Sequence, residues 1–230
     1  VEFFLKGFVN AARLIASLDL EVYLIVWTSL KVSLVATLLA SLLGVPLGTL
    51  IALKRFRVKS LLLIVLNTMM AFPTVVIGLL FYGLLSRRGP LGDLDLLYTP
   101  AGMALGLFVL AFPTVVNLTL AAIQGLDPRL IVTCKLLGAT PVQQTWKILT
   151  EARFAITAAI VVAFGRVISE VGIAMMIGGN IRGFTRTMTT AIALETSKGE
   201  FELGIALGTV LLTVAFGVNG MLFLLQRGKL

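Results

Sequence analysis

The stretch VYLIVWTSLKVSLVATLLASLLGVPLGTLIAL, from Val22 to Leu53, carries a single charged residue, Lys31. A bilayer core about 30 Å thick is crossed by about 20 apolar residues in α-helix, so this run is long enough to span it. It stops at Lys54, Arg55, Arg57 and Lys59, a basic cluster that the positive-inside rule places on the cytoplasmic side. The chain therefore enters the membrane from outside, and Lys31 snorkels toward the outer interface.

The remainder of the 230 residues fits that solvent. Hydrophobic residues make up 58% and charged residues 13%, and the mean hydropathy is +1.04, far from the balance of a water-soluble domain. The net charge of +8 sits in short clusters between apolar runs, which reads as topology rather than nucleic-acid binding. Histidine is absent and Cys134 is the only cysteine, so neither a zinc site nor an internal disulfide is expected.

Working outward, a second span is expected over about 61–85, ending at the turn formers Gly89, Pro90 and Gly92. A third runs over about 100–124, a fourth over about 154–177 and a fifth over about 203–225, before Arg227 and Lys229. The whole chain, 1–230, then reads as one all-α membrane domain, with its N-terminus outside and its C-terminus in the cytoplasm. Residues 1–20 space Phe4, Phe8, Ala11, Ala12 and Ile15 along one helical face beside Lys6 and Arg13, the pattern of an interfacial helix and not of a cleavable signal.

A hexapeptide repeats: Ala71-Phe72-Pro73-Thr74-Val75-Val76 in the second span and Ala111-Phe112-Pro113-Thr114-Val115-Val116 in the third. Proline removes a backbone donor and kinks a helix, and broken helices cluster around cavities. Packing kinks and pore lining are equally good readings of Pro73, Thr74, Pro113 and Thr114.

Residues 127–151 are too polar to span and fall on the same side as the first basic cluster. Within them Gly138 ends one helix in a left-handed turn, Thr140 caps the next, Pro141 takes its first position and Gln143 completes a capping box. The product is a rigid two-helix knob, 127–151, facing the cytoplasm. In the fourth span Arg166 and Glu170 stand four apart, which predicts an ion pair that serves either to fasten helices or to contact substrate. Gly178, Gly179 and Gly183 around Asn180 and Arg182 predict an outer turn. The segment Thr185-Arg186-Thr187 to Thr196 then dips partway back toward the pore as an outer gate, or caps the fold or meets a partner.

The knob Leu136-Leu137-Gly138-Ala139-Thr140-Pro141 resembles the signature loop of importer-type ABC permeases, with Val132-Thr133-Cys134 where that family has Glu-Ala-Ala and Thr150-Glu151 where it ends in Leu-Pro. The stretches from Gly165 to Gly172 and Gly178 to Gly183 look like the molybdate, sulfate and tungstate permeases, and Thr185 to Thr196 resembles the tungstate branch. The resemblance implies the MetI-like fold in a prokaryotic inner membrane, with Leu137, Gly138, Ala139, Thr140 and Pro141 docking on an ATPase. Two such chains form the pore, two ATP-binding subunits hold ATP and Mg, and an extracytoplasmic protein delivers the oxyanion; this chain carries no cofactor. It has no GxxxxGK[ST] loop for ATP itself. The rival class is an ion-coupled secondary transporter, for which Glu170 is the only clear mid-span carboxylate.

Overall fold

The computed structural model describes residues 9, 20–54 and 56–227; the interfacial helix expected over 1–20 lies outside the described residues apart from Val9 and Leu20. Helix α1 (Leu20–Leu53) has 34 residues, about 51 Å at 1.5 Å per residue, more than the hydrocarbon thickness. Ser29, Ser33, Ala36, Thr37, Ala40, Gly44 and Gly48 are buried along one of its faces, and α4 (Pro100–Gln124) packs against them. Lipid tails are as apolar as leucine, so helices in a bilayer associate through close packing, and small residues permit it. A Cβ at Gly48 would stand 2.7 Å from the Val116 carbonyl oxygen and 3.0 Å from Thr119 Cβ.

Between these helices the expected second span is two helices, α2 (Lys59–Ala71) and α3 (Thr74–Leu85), bent 98° to one another. Phe72 and Pro73 are both extended, with ψ of 133° and 126°. Proline lacks the N–H that would continue the ladder and pushes the preceding residue out of the α region. The second copy of the hexapeptide behaves otherwise: Pro113 sits inside an unbroken α4. It is buried, with Ala111, Thr114, Val115 and Val116 around it, whereas Phe72 and Pro73 are exposed. Packing against α1 and α6 holds the buried copy straight.

After α4 comes α5 (Arg129–Leu136), and then α6 (Pro141–Ile168), which rises from the polar knob directly into the bilayer. The expected fourth span, 154–177, is thereby corrected. Its helix begins earlier and ends at Ile168, and α7 (Gly172–Gly178) is separate. Ser169, the residue after α6, donates from Oγ to the carbonyls of Gly165 and Arg166 at 2.9 and 3.1 Å. Glu170 Oε1 accepts from Ile173 N at 3.2 Å, supplying a partner to the start of α7.

Helix α8 (Met188–Lys198) ends at Gly199, whose φ of 84° supplies the left-handed stop, and α9 (Phe201–Arg227) folds back beside it. Four of these helices are long and apolar enough to cross a membrane, or five when the bent α2–α3 pair counts as one span. The main core lies between α1, α3, α4, α6 and α7, around Ala36, Ile77, Met103, Leu107, Ala163 and Ile173.

Candidate functional site

The two helix breaks meet halfway through the bundle. Arg166, near the end of α6, donates from Nη2 to the Met70 carbonyl at 2.9 Å and from Nη1 to Thr114 Oγ1 at 3.5 Å. Met70 is in the last turn of α2, where carbonyls have no helical partner and the helix dipole is negative, so the guanidinium caps that end. On the other side of the break, a Cβ at Gly172 would stand 3.1 Å from Val75 Cγ2, 3.2 Å from Thr74 Oγ1 and 3.3 Å from Glu170 Oε1. Thr74, Thr114, Arg166 and Glu170 thus gather where two discontinuous helices cross. Discontinuous helices at this depth are where transport proteins place polar contacts.

The expected ion pair between Arg166 and Glu170 does not form. Arg166 closes no salt bridge among the described residues, and Glu170 has left the helix that would have set it one turn from Arg166. Each charge finds backbone instead, the cation on a carbonyl and the carboxylate on an N–H. Pro113 and Thr114 share α4, but Pro113 makes no break.

At one end of the bundle the residues singled out as a gate are mostly framework. Thr185, fully buried, donates to the Gly178 carbonyl at 2.6 Å and accepts from Ile181 N at 3.0 Å. Thr187 is the N-cap of α8, in a reciprocal box with Thr190. Asn180 adopts a left-handed φ of 51°, and its Nδ2 donates to the Thr190 carbonyl at 3.4 Å. Glu21, which the sequence did not single out, accepts from Arg182 Nε at 2.8 Å and from Arg186 Nη1 at 3.4 Å.

From there the chain descends. Met188 N donates to Ser29 Oγ at 2.7 Å and Thr189 Oγ1 to the Glu170 carbonyl at 2.8 Å. Ser29 is about 12 Å along α1 from Glu21, so α8 starts two turns below the loop that precedes it. Opposite, Tyr98 N donates to the Ile177 carbonyl at 2.8 Å. Its phenol donates to Tyr82 Oη, a contact that, followed by slight burial, raises the Tyr98 pKa above its ordinary value.

The knob lies at the other end. Thr140 Oγ1 accepts from Gln143 N at 3.4 Å while Gln143 Oε1 accepts from Thr140 N at 2.8 Å, so the box is closed. Gly138 has φ of 74°. No residue of α5 is buried, and Leu136, Leu137, Val142 and Trp146 are between 73% and 82% exposed, an apolar surface presented beyond the spans.

A bundle with broken helices crossing at mid-depth and a stiff apolar knob at one end is the architecture of a membrane permease. Residues 44–229 match the family described as "Binding-protein-dependent transport system inner membrane component", and the chain belongs to it. It is 39% identical over 227 residues to the "Tungstate uptake system permease protein TupB" of Peptoclostridium acidaminophilum, covering 99% of this chain and 100% of that one. The protein of the same description from Campylobacter jejuni is also 39% identical over 227 residues, covering 99% and 95%. Among solved structures, the inward-facing MetNI methionine ABC transporter matches with a TM-score of 0.73 at 16% identity, over 92% of this chain and 97% of that one, a likeness of fold. The chain is thus a multi-pass inner-membrane permease subunit of an ABC importer.

Proposed function

We propose that this permease carries tungstate, as one half of a pathway enclosed by two copies of the chain. The observation that carries this reading is the similarity, from end to end, to two tungstate uptake permeases. Each knob docks on an ATP-binding subunit through Leu137, Gly138, Ala139, Thr140 and Pro141, and ATP and Mg belong to that partner. An extracytoplasmic protein delivers the oxyanion. Exposed apolar surface with a fixed backbone is what such docking requires.

The N-terminus lies outside and the C-terminus in the cytoplasm. Supporting this, Lys54, Arg57, Lys59, Arg129, Lys135 and Lys147 sit at the end bearing the knob, while at the other end Glu21 offsets Arg182 and Arg186. Thr74, Arg166 and Glu170 face the pathway where the helices break, with Thr114 buried behind Arg166, and Arg166 holds that break in shape. Asn180, Thr185, Arg186 and Thr187 frame the outer mouth. Molybdate, a tetrahedral dianion of nearly the same size, is the neighbouring substrate.

The test is affinity purification of a tagged chain from its own membranes, with mass spectrometry of what accompanies it and competition of labelled tungstate uptake by molybdate and sulfate. An ATP-binding subunit in the eluate, and uptake suppressed first by unlabelled tungstate, is the expected result. Uptake suppressed equally by sulfate would remove the tungstate assignment.

A further inference from the structure

A groove of about 450 Å³ opens between α1 and the knob, and its composition changes along its length. Its apolar wall is Val45, Pro46, Leu50, Leu53, Ile148 and Leu149, and its rim carries Lys54 and Lys135. From Val45 to Lys54 the chain rises about 14 Å, close to the depth of one leaflet of a 30 Å hydrocarbon core. Lys54 therefore stands at headgroup height above the acyl-chain depth of Val45 and Pro46, and Lys135 of the knob lines the same groove.

Among the described residues neither lysine is in an ion pair, and no carboxylate lines the groove. The neighbouring Asp127 belongs to a smaller adjoining cavity, where its Oδ1 accepts from Arg129 N at 2.8 Å. Gln144 and Thr145, in the first turns of α6, also line the groove, their side chains donating to the Ala139 and Pro141 carbonyls.

We propose that this groove binds an anionic phospholipid of the inner leaflet, its phosphate between Lys54 and Lys135 and an acyl chain along Val45, Pro46 and Leu50. Two basic side chains at the boundary of an apolar slot match an anionic headgroup above a hydrocarbon tail. Lys54 ends the first span and Lys135 belongs to the knob. A lipid held by both ties the knob to α1, and the anionic lipid content of the membrane becomes an input to the coupling element.

The assembled transporter, purified in mild detergent and offered phosphatidylglycerol or phosphatidylcholine, is weighed by native mass spectrometry. The wild type retains phosphatidylglycerol in preference. Each of Lys54→Gln and Lys135→Gln lowers its retention about fivefold and the double variant about thirtyfold, the factor expected of a basic residue near an anionic headgroup. Leu50→Trp, which fills the slot and leaves both lysines, also lowers retention. Equal retention of phosphatidylglycerol by the double variant would overturn the proposal, as would equal retention of the two lipids by the wild type. So would a photocrosslink from position 50 that captures protein rather than lipid.

Discussion

Replacing Gly138 by alanine isolates one physical effect. The residue sits at φ 74° and a Cβ there would meet nothing within 4 Å, so the substitution introduces no clash and removes no packing. An L-residue in the left-handed region costs about 1–2 kcal/mol. Reduced freedom of the unfolded chain returns about 0.4–1 kcal/mol. The net is about 1 kcal/mol, about a fivefold rise in the population of open knob. Because no residue of α5 is buried, the spans are untouched and the loss stays local. Hydrogen exchange should therefore quicken about fivefold over residues 129–145 and nowhere in α1 or α4, and stimulation of the partner ATPase should fall with it. Gly138→Asn should recover most of both, since asparagine tolerates this conformation. If alanine and asparagine behave alike, or if exchange in the knob is unchanged, the turn is not what stiffens it.

Gly48→Ala forces a Cβ to within 2.7 Å of the Val116 carbonyl and should cost about 1–3 kcal/mol through overpacking. The drop would show in thermal unfolding in detergent, against Gly165→Ala as a control where nothing lies within 4 Å. Arg166→Met removes the cap on the Met70 carbonyl and should cost about 1.5–3 kcal/mol, with Arg166→Lys recovering part; equal stability of all three proteins would mean the bond contributes nothing. Glu21→Gln should remove its ion pairs with Arg182 and Arg186 and quicken hydrogen exchange over residues 180–187 at low salt, a difference that shrinks at high salt because the pairs are partly exposed.

The membrane-spanning, all-α character and the knob's caps were legible in the sequence because both rest on local rules: apolar runs of sufficient length, and a glycine, a cap and a proline at fixed offsets. The closed Thr140–Gln143 box is such a rule realised. What escaped was set by neighbours. Two identical hexapeptides gave a break at Pro73 and a continuous helix at Pro113, the first copy exposed and the second buried in the bundle. Arg166 and Glu170 have ideal spacing for an ion pair, but α6 ends at Ile168, before Glu170 can complete the turn. Glu21 meets Arg182 and Arg186 across more than 160 positions, a contact without local signal. Thr187 and Thr190 make their box without the usual Glu or Gln at its third position, so the sequence left the start of α8 open between an outer gate, a cap on the fold and a contact with a partner.

The most direct measurement is tungstate uptake into sealed vesicles containing the purified assembly, with the ATPase side supplied with ATP and Mg or with a non-hydrolysable analogue. Uptake that requires hydrolysis, and stops when the chain is left out, is the predicted result. Uptake by the chain alone, independent of ATP and driven by a proton or sodium gradient, would contradict it.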